Sequence, residues 1–203
     1  MKRFWELAVA AMLLGAVGPA PQQQAVAQEH QYLTGQFLVA TPEMGDPRFV
    51  QSVIYMISHD QDGAMGLVIN RPVAQGPLSD LLKALGREGE AAKGTVTVHY
   101  GGPVEPERLF VLHSSNYVGK ETTVLGNGLA VSADVEILQA IARGKGPRQS
   151  LFIFGYAGWA PGQLEAEIKA NAWFSIPAEP SLIFDGDVES KWDRAAAKRK
   201  IKA

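Results

Sequence analysis

The spacing of apolar positions divides the chain into extended and helical stretches. Gly35 to Ala40 carries Phe37, Leu38 and Val39 and predicts a first strand. Phe49 to Ser58, with Val53, Ile54, Tyr55 and Ile57, predicts a second. Ala64 to Ile69 returns as a third, and Asp62-Gly63 between the two runs is a strong hairpin signal. Asn70-Arg71-Pro72 ends that strand, because proline cannot donate to a ladder. Leu78, Leu81, Leu82 and Leu85 recur at helical spacing up to Gly86, and a charged loop follows from Arg87 to Gly94. Thr95 to Tyr100 and Leu109 to His113 predict strands around a sharp Gly101-Gly102-Pro103-Val104 turn. Ser114 to Asn127 is polar and predicts an irregular surface segment, and Leu129 to Val131 is short and extended.

A helix capped by Ser132 or Asp134 carries Val135, Leu138 and Ile141 and stops at Gly144. Leu151 to Phe154 predicts a buried strand that Gly155, Gly158 and Gly162 break into a shaped loop bearing Tyr156 and Trp159. Pro161 suits the first position of the next helix, with Ala160 as its cap and Leu164 and Ile168 on its apolar face. Trp173 to Pro180 reads as extended, Leu182 to Phe184 as a final strand, and Glu189 to Lys202 as a terminal helix. Strands and helices mix without a strict βαβ rhythm, which favours α+β.

The glycine loop opening into a helix has two readings. Free N–H groups at a helix start bind anions. The spacing, however, is neither the dinucleotide fingerprint nor a Walker loop, and Glu165 and Glu167 would repel a phosphate. The other reading is that the glycines let Trp159 fold back onto the sheet. Three segments together resemble the YqgE/AlgH family of bacterial proteins. They are Gly-Tyr-Ala-Gly-Trp-Ala-Pro-Gly-Gln-Leu-Glu (155 to 165), Asp-Gly-Ala-Met-Gly-Leu-Val-Ile-Asn-Arg-Pro (62 to 72) and Gly-Gly-Pro-Val (101 to 104). The likeness runs from about Tyr32 to Trp192. It implies an α+β fold with a curved, partly barrel-like, mostly antiparallel sheet surrounded by helices. Some members carry the label of transcriptional regulator, and no agreed catalytic residue is carried over.

Ahead of this region, Lys2 and Arg3 precede an apolar run from Leu7 to Val17, and Ala25-Val26-Ala27 supplies a cleavage site. That layout predicts a signal peptide over residues 1–27, export to the periplasm, and a single mature domain over 28–203 with no membrane span after cleavage. The family resemblance implies the cytoplasm instead.

Charge and composition narrow the chemistry. The chain has no cysteine, which excludes disulfides, thiol nucleophiles and cysteine-held metals. Residues 191–203 carry a net charge of +5, whereas residues 28–190 carry −8. An acidic body is poor for nucleic-acid backbones, so direct DNA binding is disfavoured and the basic tail reads as a solvated helix end.

His59-Asp60-Gln61-Asp62 could hold a divalent metal or do acid–base work, but a hairpin turn explains both aspartates without chemistry. His99 and His113 read as structural histidines in strands. Ser114 and Ser115 lack the Gly-x-Ser-x-Gly elbow of a hydrolase. No cofactor motif is present. Thr41, Asp46, Ser52, Asn70, Arg71, Gln163 and Glu165 sit at strand ends and loop starts. With Tyr156 and Trp159 they either gather round one groove for a small molecule or protein partner, or include a buried Arg71–Glu165 pair that fixes the loops. The leading expectation is a binding or regulatory domain that is not an enzyme. The alternatives are a transcriptional regulator, and an enzyme using His59 with Asp60 or Asp62.

Overall fold

The computed structural model describes residues 32–87 and 92–199. The expected export signal and cleavage site, and the last four residues of the basic tail, lie outside them. Among the described residues, ten strands form one curled sheet and five helices cover it. Fold class and curvature are as expected from the sequence and the resemblance.

Along one path the strands run β10 (Trp173–Pro177), β1 (Gln36–Ala40), β2 (Val53–Asp60), β3 (Gly63–Val68), β9 (Ser150–Trp159), β6 (Val104–Ser114), β8 (Leu129–Ser132) and β7 (Thr122–Gly126). A side branch of β4 (Pro72–Pro77) and β5 (Thr95–Tyr100) joins β9 in parallel through Val98↔Phe152, His99↔Ile153 and Tyr100↔Phe154. All other pairings are antiparallel, including the β2–β3 hairpin.

Strands β1 and β2 are apolar on both faces because both faces are covered. Phe37, Val39, Val53 and Tyr55 enter one cluster with Leu67, Ile69 and Ile153. This cluster is closed by α4 (Pro180–Phe184) and α5 (Lys191–Arg199) through Leu182, Ile183 and Ala195. The alternate residues Leu38, Ala40, Ile54 and Met56 enter a second cluster with Trp159, Trp173 and Leu164 of α3 (Gln163–Lys169). A third holds α1 (Leu78–Ala84) and α2 (Glu136–Ala142) against Leu109, Val111 and Phe152.

The glycine motifs have a different role from the expected loop. Residues 155–159 continue β9, so the strand runs on to Trp159. The chain leaves β5 on one edge of β9 and starts β6 on the other, crossing the strand at Gly101-Gly102. The Gly101 N–H donates to the Phe154 carbonyl at 2.7 Å, and the Gly101 carbonyl accepts from the Val68 N–H at 3.0 Å. A Cβ on Gly101 would collide with the Gly155 carbonyl, and one on Gly102 with the Tyr156 backbone. Gly155 itself has a φ of +72°, opposite a bulge where β6 shifts register between Val104 and Leu109. Backbone lies directly on backbone here, which only glycine permits.

Other boundaries also moved. The second strand starts at Val53, because Asp46 to Gln51 turn. Helix α3 starts at Gln163 after Gly162 (φ +75°), so Pro161 and Ala160 precede it. The Gln163 side chain instead accepts from the Ala160 N–H at 3.1 Å. Leu182 to Phe184 is one helical turn and not a strand, since a short apolar run fits either. Strands β4 and β7 escaped the sequence reading. Each ends a path, where an exposed strand needs no apolar alternation and tolerates proline.

Helix α5 closes the fold through polar anchors. Lys191 is 1% exposed, and its Nζ donates to the Ile183 carbonyl at 2.9 Å and lies 3.6 Å from Asp185 Oδ1. Burial pulls the lysine below its ordinary range, while Asp185 opposes that. Arg194 holds Asp185 with two hydrogen bonds at 2.7 and 3.0 Å and, as the main cause, keeps its carboxyl below the usual value. Trp192 Nε1 donates to the Ala40 carbonyl at 2.8 Å.

Candidate functional site

Of the residues expected round one groove, Asp46, Asn70, Arg71, Tyr156, Trp159 and Gln163 divide among three cavities, while Thr41, Ser52 and Glu165 line none of these three. Asn70 and Arg71 line one of about 640 Å³ with Val50, Asp187, Glu189 and Trp192. Both are occupied in holding the preceding turn. Asn70 accepts from the Val53 N–H at 2.9 Å and donates to the Gln51 carbonyl at 2.8 Å, while Arg71 Nη2 donates to the Val50 carbonyl at 2.7 Å. The Arg71–Glu165 pair does not form: Glu165 Oε1 lies 2.9 Å from His59 Nε2 instead.

Tyr156 and Trp159 border a second cavity, of about 420 Å³, with Asp60, Asp62, Val104 and Gly158. The Tyr156 hydroxyl donates to Glu105 at 3.2 Å. Burial, with Glu105 beside it, pushes that phenol up.

Trp159 and Gln163 also line a third cavity, of about 460 Å³, which has the richest chemistry. Trp159 ends β9 and Trp173 begins β10, and their rings meet edge to face at 6.0 Å. Phe49 packs on Trp173 at 5.6 Å. Glu167 Oε2 accepts from both indole N–H groups, at 2.9 Å from Trp159 and 2.7 Å from Trp173, and Gln163 donates to its other oxygen at 2.9 Å. One carboxylate thus ties α3 to two strands. At the rim Arg48 forks onto Asp46, whose carboxyl it lowers. Met44, Phe49 and Trp173 were not singled out from the sequence, and Glu167 was named only as a charge that would repel a phosphate. The i, i+4 spacing of Gln163 and Glu167 on one helix face was the available signal.

His59 and His113 have structural partners. His59 is 7% exposed, while its neighbour Asp60 is exposed on the opposite face of the strand. His59 Nδ1 accepts from the Leu33 N–H at 3.1 Å, so Nε2 donates to Glu165. Asp60 instead accepts from the Asp62 N–H within the turn, at 2.8 Å. His113 Nδ1 donates to the Ser114 carbonyl at 3.0 Å, leaving Nε2 to accept from Ser132 at 2.9 Å; Ser132 also meets Thr122 at 2.7 Å. That relay is buried under 2% exposure at His113 and Ser132, out of reach of a substrate. Among the described residues no helix is long and apolar enough to cross a membrane.

The sequence model described as AlgH-like matches residues 37–203. The chain belongs to the AlgH-like family. A UPF0301 protein of Methylococcus capsulatus is 46% identical to this AlgH-like chain over 170 residues, covering 84% of it and 93% of the relative. A UPF0301 protein of Methylobacterium is 48% identical over 172 residues, covering 81% and 82%. The solution structure of the AlgH protein from Pseudomonas aeruginosa has a TM-score of 0.71 at 42% identity, covering 86% and 91% of the two chains. A crystal structure from Corynebacterium diphtheriae shares the fold, with a TM-score of 0.65 at 24% identity over 82% and 86%. These names specify no reaction, so the chemistry of an AlgH-like protein has to be argued from its cavities.

Proposed function

We propose that this AlgH-like protein is a binding domain, which recognises a partner through the cleft between Phe49, Trp159 and Trp173. The observation that carries this is the cleft itself. Aromatic walls stand around a few fixed polar groups, with Glu167 satisfied by three donors, which is the usual make-up of a binding site. A catalytic reading has less support, because His59 has both ring nitrogens engaged and faces away from Asp60. Any regulatory role then works through contacts with a protein or small molecule and not through DNA, given the acidic body of the chain.

The rim residue Phe49 tests this reading. Phe49→Ser should lower the thermal midpoint by several degrees, since Phe49 packs on Trp173, yet leave the chain folded and lose components that the wild-type chain retains from a lysate of its own bacterium. Retention of the same components by the variant would overturn the proposal. We further propose that residues 1–27 direct export and that the mature chain begins at Gln28. Mass spectrometry of the native N-terminus checks this, and an intact Met1 would refute it.

A further inference from the structure

The cleft does not stand alone. Its cavity and the neighbouring one share Val104, Gly158 and Trp159, so together they make one groove that passes on both sides of Gly158. The floor of that groove is the end of β9, and its pairing is one-sided. On one edge Ala157, Gly158 and Trp159 pair with Gly66, Met65 and Ala64 of β3. On the opposite edge the β6 ladder ends at Val104↔Tyr156. Among the described residues, Ala157 to Trp159 have no strand partner on that side, but Gly102 lies against the Ala157 backbone and Ala157 and Trp159 are buried, so the bare part of the edge is Gly158. Gly158 is also exposed, with no side chain to cover the backbone. A short strand edge flanked by two cavities fits an extended peptide, whose alternate side chains point to opposite faces.

The charge of the groove selects the peptide. Asp60 and Asp62 line one cavity, both are exposed, and among the described residues that line it there is no lysine or arginine. In the other cavity, Arg48 is already forked onto Asp46, and Glu167 adds another carboxylate. This local excess of negative charge sits within a body that is acidic as a whole. Such a surface steers basic partners in and turns acidic ones away.

We infer that the groove across Gly158 receives an extended protein segment carrying lysine or arginine, laid over the bare backbone of Gly158 at the end of β9 with a basic side chain directed to Asp60 and Asp62. This inference rests on the binding reading above and adds the class of partner. The occupant is a peptide and not a small organic cation, because the two cavities lie side by side along a strand edge and together exceed the reach of one side chain.

The test is selection from a random dodecapeptide library on the full chain, followed by titration of the selected peptides by fluorescence polarisation and NMR. The expected peptides are enriched in lysine and arginine with apolar residues interleaved. They shift the amide signals of Ala157, Gly158 and Trp159. They lose about tenfold or more in affinity for an Asp60→Asn/Asp62→Asn variant. Both aspartates are exposed, and the asparagine oxygen at position 60 keeps the turn hydrogen bond, so this variant folds. Unchanged affinity in that variant would overturn the inference. Selected peptides without basic enrichment that still shift those amides would overturn the basic partner while leaving the binding reading intact. Peptides that leave those amides unmoved, or no selected peptide at all, would overturn both.

Discussion

Gly155 and Gly158 stand three residues apart on one strand and look alike in the sequence, yet they serve opposite ends. At Gly155 the strand is sealed. A Cβ there would lie 2.5 Å from the Gly102 carbonyl oxygen, and the backbone has a φ of +72°. At Gly158 the strand is open: the nearest atoms are the Tyr156 ring at 3.2 Å and Val104 at 3.7 Å, and the residue faces solvent. The middle of β9 therefore uses glycine to let one backbone cross another. Its end uses glycine to leave a surface bare. A glycine-rich motif can thus hold an architectural crossing and a bare surface side by side, and only the neighbouring chain tells them apart.

Substitutions should separate the two regions in order of severity. Gly155→Val forces a β-branched residue into the left-handed region and against the Gly102 carbonyl, and should cost about 3 kcal/mol or more in urea unfolding. A wild-type midpoint would show that the crossover yields. In the cleft, Glu167→Ala leaves two indole N–H groups without their acceptor and should cost about 2 kcal/mol. Glu167→Gln, which keeps an acceptor oxygen, should recover part of that.

Acid should then act on the sealed side. His99, paired to β9 at Ile153, and His113, paired at Ser150, both have pKa values lowered chiefly by burial. The unfolded chain takes up protons near 6.5 before the folded one does, so stability should be level above that pH and fall as pH drops below it. Unfolding midpoints that rise on acidification would contradict this placement. The smallest effect belongs to Gly158→Ala, which should shift stability by less than about 1 kcal/mol. A loss like that at Gly155 would erase the contrast.

Much of this architecture was legible before any coordinates. The β2–β3 hairpin followed from Asp62-Gly63 between two apolar runs, and α1 from the spacing of Leu78, Leu81, Leu82 and Leu85. What stayed hidden depends on contacts between distant segments. That Gly101 lies on Gly155 is a property of two stretches far apart in the chain, so local reading placed a loop where a strand continues. The edge strands β4 and β7 carry little burial and so left no alternation to find.

The candidate site was less legible than the fold. Trp159 was singled out and is buried at 7% exposure, and the carboxylate it bonds is Glu167, while Glu165, grouped with it, meets His59. Asn70 and Arg71 were grouped with it by their position in the motifs, yet their hydrogen bonds go to the turn at Val50 to Val53. Motif membership reports which residues the fold needs together, and these serve different corners of it.

The amine of Lys191, shut beneath α5, makes that helix a timer. Acylating reagents need a free amine with room around it, and the slot between Ile183 and Asp185 offers none while the helix is seated. Modification of Lys191 should therefore trail that of the exposed Lys120 by the waiting time for the C-terminal helix to lift, and mass spectrometry of timed samples would read that interval directly.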